Sequence, residues 1–119
     1  MNKILIVDDD SDITSLLALQ LTNENFKVDI AVDAIQALQH MRQNKPDLLI
    51  LDINIPAGSA FTIVDSVKTI PDFIGIPFIF LTKNKDPKLE QKSLQLGAKA
   101  YLTKPYELQN LLKTIKSIL

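Results

Sequence analysis

Ile4-Leu5-Ile6-Val7-Asp8-Asp9-Asp10 joins a continuous apolar run to three consecutive carboxylates. A run this short, this sharply bounded and rich in β-branched residues suits a strand buried on both faces, as in a parallel sheet covered by helices. Leu48 to Leu51 and Phe78 to Leu81 have the same character. Phe26-Lys27-Val28-Asp29-Ile30 alternates instead, which suits a more exposed strand nearer one edge. A last short strand is expected over Ala98 to Thr103, entered through Gly97.

Between these runs the period moves from two towards 3.6. Ile13, Leu16, Leu17 and Leu21 form one helical stripe, and Ala34, Leu38 and Met41 a second. Ala60, Phe61, Val64 and Val67 give a third, while Leu108, Leu111, Leu112 and Ile115 give the clearest. Asp86 to Leu96 has only Leu89, Leu94 and Leu96 as apolar guides, so this helix is the weakest and the one expected to move. Asp10, Ser11 and Asp12 can cap the first helix and Asp33 the second. Pro46, Pro77 and Pro105 stand at element boundaries. The pattern is β-α five times with right-handed crossovers: an α/β fold with a doubly wound, five-stranded parallel sheet.

A chain of 119 residues suits one domain, residues 1–119. With no cysteine, a disulfide scaffold, a thiol nucleophile and Cys-ligated metals are excluded. Thirteen Lys and Arg against 14 Asp and Glu leave a net charge of −1, without the basic surplus usual in nucleic-acid binding. No apolar run approaches a membrane span, and Asp8 arrives too early for a signal-peptide core. The expectation is a soluble, cytoplasmic protein that binds neither nucleic acid nor membrane.

Sheets of this kind bind ligands at the carboxyl ends of their strands. There stand Asp8-Asp9-Asp10 after strand one, Asp52 after strand three, Thr82 after strand four and Thr103-Lys104-Pro105 after strand five. Two carboxylates about 4 Å apart repel by ~4 kcal/mol at an effective dielectric of ~20, so a cluster of three calls for a cation. Hard oxygen donors suit Mg2+ better than zinc or copper. With the metal bound, one carboxylate can attack a phosphoryl group whose oxygens Lys104 and Thr82 hold. Taken singly, each residue also has a plainer reading, the acidic ones as helix caps, Thr82 as a structural group and Lys104 as a loop cation.

Ile4-Leu5-Ile6-Val7-Asp8-Asp9-Asp10, Asp47-Leu48-Leu49-Ile50-Leu51-Asp52-Ile53-Asn54-Ile55-Pro56, Phe80-Leu81-Thr82 and Tyr101-Leu102-Thr103-Lys104-Pro105 together resemble the receiver domains of bacterial response regulators, over essentially the whole chain. The resemblance implies a flavodoxin-like (βα)5 fold with strand order 2-1-3-4-5. It implies that Asp52 accepts a phosphoryl group from a sensor histidine kinase or phosphotransfer protein. Asp9 and Asp52 are then direct Mg2+ ligands, Asp8 acts through water, and Asn54 through its backbone carbonyl. Thr82 bonds the phosphoryl oxygen, Lys104 pairs with it, and Pro105 follows a cis peptide bond after Lys104. Tyr101 is the aromatic switch that swings inward as Thr82 moves, and Asn54 and Asn84 tune phosphoryl lifetime. The output is a changed face of helix four, strand five and helix five, read by an effector protein or by a C-terminal effector domain after Leu119.

Lys83 stands where the family usually has a small residue, and Ala60 where it commonly has glycine, with a compensating turn expected through Gly58. Lys99-Ala100 replaces the acidic pair used by many DNA-binding members for a symmetric dimer, so a monomer or weak dimer is expected. His40 lies on the second helix, away from every strand end. Two other readings compete. One is a degenerate receiver that binds partners without phosphorylation; the other is a haloacid dehalogenase-like phosphohydrolase with Asp8 as nucleophile and Asp10 as acid/base.

Overall fold

Side chains alternate across a strand, so each apolar run loads two layers at once. In the computed structural model, which describes residues 1–55 and 59–119, five strands form one parallel sheet: Lys3–Val7 (β1), Lys27–Ala31 (β2), Leu48–Leu51 (β3), Phe78–Thr82 (β4) and Tyr101–Thr103 (β5). Their order is β2-β1-β3-β4-β5, as expected. Five helices alternate with them: Ser11–Asn23 (α1), Ala34–Gln43 (α2), Ala60–Thr69 (α3), Pro87–Gln95 (α4) and Leu108–Ile118 (α5).

Leu5, Val7, Leu49, Leu51, Phe78 and Phe80 pack towards α2, α3 and the inner residues of α4. Ile4, Ile6, Leu48, Ile50, Ile79 and Leu81 pack towards α1 and α5. Fully burying one such side chain contributes about 1.5–3 kcal/mol, so both layers are needed to hold the sheet. Asp10 and Asp33 cap α1 and α2, and Ser59 with Thr62 forms a capping box on α3. Gly97 has φ +107, a left-handed conformation that only glycine adopts freely, and it turns the chain into β5.

Several sequence expectations need correction. Leu16 is 54% exposed; α1 buries Thr14, Leu17 and Leu21 instead, because threonine takes a turn of the inner stripe. β2 runs one residue later than the alternation suggests. β5 is only Tyr101–Thr103, although ladder hydrogen bonds start at the Lys99 N–H and the Ala100 carbonyl. A 3-10 turn over Pro71–Phe73, absent from the pattern reading, buries Phe73. In α4 only Ser93 is buried, while Leu94 is exposed. The turn expected through Gly58 lies outside the described residues. No helix among the described residues is long and apolar enough to cross a membrane.

Candidate functional site

Backbone hydrogen bonds carry the sheet one residue past its strands, and this sets the site. Asp8 N–H donates to the Ala31 carbonyl at 3.0 Å, Asp52 N–H to Val7 at 2.9 Å, and Lys104 N–H to Thr82 at 2.9 Å. Three functional side chains are therefore anchored on rigid ladder positions and not on free loops. Asp8, Thr82 and Lys104 are buried; Asp52 is half-buried; Asp9 and Asn54 are exposed. All of them line one cavity of about 310 Å³ together with Asp10 and Lys83.

Lys104 is the centre of the arrangement. Its ammonium donates to Asp8 Oδ2 and, at 3.0 Å, to Asp52 Oδ2. Burial by itself lowers a lysine pKa, but the hydrogen bonds and charges of Asp8 and Asp52 outweigh that, and the Lys104 pKa is raised above 10.5. The ammonium thus supplies the positive charge that adjacent carboxylates require. The Lys104–Pro105 peptide bond is cis.

The other oxygens are also engaged. Thr82 Oγ1 donates to Asp52 Oδ1 at 2.8 Å, and the Asn54 N–H reaches the same oxygen at 3.3 Å. Asp8 Oδ1 accepts the Asp10 N–H at 3.0 Å. Asp10 itself caps α1, its Oδ1 accepting from the Asp12 and Ile13 amides.

A second line of contacts leads away from Asp52. The Asn84 N–H donates to Thr82 Oγ1 at 3.3 Å, and the Tyr101 hydroxyl donates to the Asn84 carbonyl at 2.6 Å. The Tyr101 ring packs on Phe80 with centroids 6.1 Å apart. Burial, then Glu90, Asp86 and Asp52, push the Tyr101 pKa up, so it remains a hydroxyl donor. Asp52, Thr82, Asn84 and Tyr101 therefore form one hydrogen-bonded path from the acidic cavity to β5. Asn84 takes part through its backbone, a role that side-chain motifs do not reveal.

The donor set fits a hard divalent cation: carboxylates and an asparagine line the cavity, with no sulfur or imidazole. Among the described residues no three acidic side chains are gathered into a metal-holding cluster. The Lys104 ammonium bridges two of the three expected carboxylates, and Asp9 lines the same cavity from an exposed position.

Lys83 is exposed and also borders a larger apolar cavity of about 790 Å³, between α1 and the β5–α5 loop, lined by Ile13, Leu16, Pro105, Tyr106 and Leu108 among others. Tyr106 reaches across it to donate a hydrogen bond to Gln20. The sequence offered no sign of this cavity, since it depends on Leu16 facing outward. Ala60 is fully buried at the start of α3, and His40 is half-buried on α2, remote from the acidic cavity.

The family described as the response regulator receiver domain matches residues 4–116. The transcriptional regulatory protein CpxR of Escherichia coli is 39% identical over 119 residues, covering 100% of this chain and 50% of that protein. The transcriptional regulatory protein PrrA of Mycobacterium tuberculosis is 32% identical over 117 residues, 98% of this chain and 49% of that protein. The chain spans about half the length of the curated relatives it matches. Among solved structures, the chemotaxis response regulator CheY4 of Vibrio cholerae has a TM-score of 0.90 at 30% identity, covering 100% of this chain and 99% of that one. The activated (BeF3) N-terminal receiver domain of RstA from Klebsiella pneumoniae has a TM-score of 0.87 at 27% identity, covering 98% and 97%.

Proposed function

This chain belongs to the response regulator receiver domain family, and from that premise we propose that it is a phosphorylation-dependent switch with Asp52 as the phosphoryl acceptor. Receiver domains are signalling switches rather than turnover enzymes. The observation that carries the assignment is the double engagement of Asp52, with Lys104 on one oxygen and Thr82 on the other. A phosphoryl group joined to Asp52 meets both donors without rebuilding the site.

In the proposed step an Asp52 oxygen forms a bond to phosphorus as the P–N bond of a phosphohistidine breaks, and the imidazole leaves with the electron pair. The donor is a sensor histidine kinase or a phosphotransfer protein. Mg2+, on which the family generally depends, would be held by Asp8, Asp9, Asp52 and Asn54, and when bound it offsets the negative charge of the carboxylate and the incoming group. Lys104 then exchanges a carboxylate partner for a phosphoryl oxygen. Thr82 turns its hydroxyl to another. Asn54, which lines the cavity, and Asn84, whose N–H bonds to Thr82, set how readily water reaches the acyl phosphate.

Phosphorylation adds about −1.5 to −2 charges at Asp52. Its pull on Thr82 disturbs the Asn84 and Tyr101 contacts, which biases α4, β5 and α5 towards a second arrangement. The sparse packing of α4 supports its part in the change. We assign residues 1–119 to a single receiver unit, with the readout made by an effector protein or by an effector region such as the relatives' remaining half.

The test is intact mass after incubation with acetyl phosphate and Mg2+. Wild type should gain one phosphate and Asp52→Asn none. A gain that survives Asp52→Asn but is lost in Asp8→Asn would transfer the chemistry to Asp8, as in the phosphohydrolase reading. No gain in wild type, with no beryllofluoride binding, would refute the switch and leave a phosphorylation-independent binding module.

A further inference from the structure

β2 ends the sheet, hydrogen-bonded only to β1, and its outer side is open over a short stretch. The Lys27 N–H donates to the Asn2 carbonyl at 2.9 Å, and the Ala31 carbonyl accepts the Asp8 N–H. The odd-numbered residues of β2 therefore turn their backbone groups to β1, and strand alternation turns those of Val28 and Ile30 outward. The chain closes off both ends of this edge itself. The Phe26 N–H donates to the Leu21 carbonyl at 3.2 Å, and the Val32 N–H to Gln36 Oε1 at 3.1 Å. Between them, the N–H groups of Val28 and Ile30 and the carbonyls of Phe26, Val28 and Ile30 meet no other group of the chain among the described residues.

The side chains of this stretch, Phe26-Lys27-Val28-Asp29-Ile30, read apolar, positive, apolar, negative, apolar. Lys27 is exposed, and Val28, Asp29 and Ile30 are half-buried. Val28 packs towards α1, whereas Lys27 and Asp29 share the opposite face with Ala31. Among the described residues the ion pairs all belong to Lys104, so neither Lys27 nor Asp29 is in one.

We infer that β2 pairs antiparallel with β2 of a second copy of this chain, with the twofold axis at Val28. Two copies of an edge strand joined across such an axis run antiparallel, and the residue on the axis opposes itself. With Val28 there, each Lys27 stands opposite the second copy's Asp29, in the closer, non-hydrogen-bonded kind of pair. Val28 exchanges N–H to carbonyl bonds with its own counterpart, and the Ile30 N–H reaches the second copy's Phe26 carbonyl. These are the groups the chain leaves open, and the committed Phe26 N–H is not needed. Moving the axis one residue either way sets Lys27 against Lys27 or Asp29 against Asp29, which like charge disfavours. A lysine on an edge strand ordinarily guards it against pairing; here it excludes the wrong registers and favours one. The occupant is a second copy because the strand is complementary to itself. The two sheets then become one, with β5 and its helices at the far edges, so the pairing does not rest on the phosphorylation reading.

Sedimentation equilibrium of the full chain from about 10 μM to about 1 mM, in EDTA and without a phosphoryl donor, should show a reversible monomer–dimer equilibrium. Amide hydrogen exchange at Val28 and Ile30 should slow as the concentration rises through it, while that at Phe26 should not change. Lys27→Glu, at an exposed position, should weaken the dimer roughly tenfold, because two attractive pairs become repulsive. Asp29→Lys should do the same. Lys27→Glu/Asp29→Lys restores both pairs and should return the wild-type dimerisation constant. An equimolar mixture of the two single variants should form a heterodimer at concentrations where neither self-associates. A chain that stays monomeric to about 1 mM, or Lys27→Glu that dimerises like wild type, would overturn the proposal. So would a dimer whose exchange protection lies on another surface, or a folded double variant that fails to dimerise. If the Asp29 variants do not fold, Lys27→Glu together with exchange at Val28 and Ile30 decides the question alone.

Discussion

Lys104→Met tests whether one ammonium holds the acidic site together. Asp8 Oδ2 and Asp52 Oδ2 lie 2.5 and 3.0 Å from the same nitrogen, so these oxygens are at most about 5.5 Å apart. At an effective dielectric of ~20, two unit charges at that distance repel by about 3 kcal/mol. Their side chains are only 5% and 13% exposed, so solvent relieves little of this. Methionine retains most of the lysine stem, which confines the loss to the charge. In EDTA the variant should lose about 3 kcal/mol of unfolding free energy, or ~10 °C in Tm. Saturating Mg2+ should restore more stability to the variant than it adds to wild type, since it no longer competes with an ammonium. Urea denaturation at pH 7 is the assay, where Lys104 is charged because its pKa is raised above 10.5. A loss under about 1 kcal/mol in EDTA, or an equal Mg2+ effect on both proteins, refutes the reasoning.

Thr82→Val removes a hydroxyl that joins Asp52 to Asn84, and should cost about 1–2 kcal/mol by urea denaturation. With no tryptophan and two tyrosines in the chain, tyrosine emission should respond to beryllofluoride in wild type and not in this variant. Tyr106→Phe should cost about 1 kcal/mol at pH 7 through the bond to Gln20. Burial raises the Tyr106 pKa above 10.0, so its contribution is complete below that value and lost as pH rises through the higher folded value; stability should fall less steeply above pH 10.0 in the variant. Leu17→Ala should cost about 2–5 kcal/mol, while Leu16→Ala should stay within about 0.5 kcal/mol, both read from denaturation midpoints.

The sheet was legible because its signals are local and redundant. Ile4 to Val7, Leu48 to Leu51 and Phe78 to Leu81 are apolar at every position, which only a strand covered on both sides tolerates. The helix faces were less legible where polar residues enter the core. Thr14 and Ser93 are buried because their hydroxyls bond to carbonyls one turn earlier, Ser11 and Leu89, so an apolar stripe misses them. The carboxylates and lysine at the strand ends were visible as residues, yet their pairing was not. Lys104 is 96 residues from Asp8, and only the ladder bonds beyond β1 and β5 bring them together. Backbone groups are the least legible of all, and the Asn84 amide and carbonyl carry the contact between Thr82 and Tyr101.

That internal cation changes what the acidic cluster requires. Carboxylates at neighbouring strand ends suggest that the fold needs a metal to exist, but Lys104 already offsets Asp8 and Asp52 from within the chain. The metal is thereby freed from a structural task and can serve the proposed phosphoryl transfer alone. The same economy couples the site to its surroundings. Each donor on Asp52 has a second commitment: Lys104 to Asp8, and Thr82 to the Asn84–Tyr101 path. A group that draws both donors towards itself cannot do so without slackening those commitments, one in the α1 entrance and the other at the β5 edge. Under the proposed function, the charge added at Asp52 therefore reaches Tyr101 at the β5 edge through bonds already present in the unphosphorylated fold.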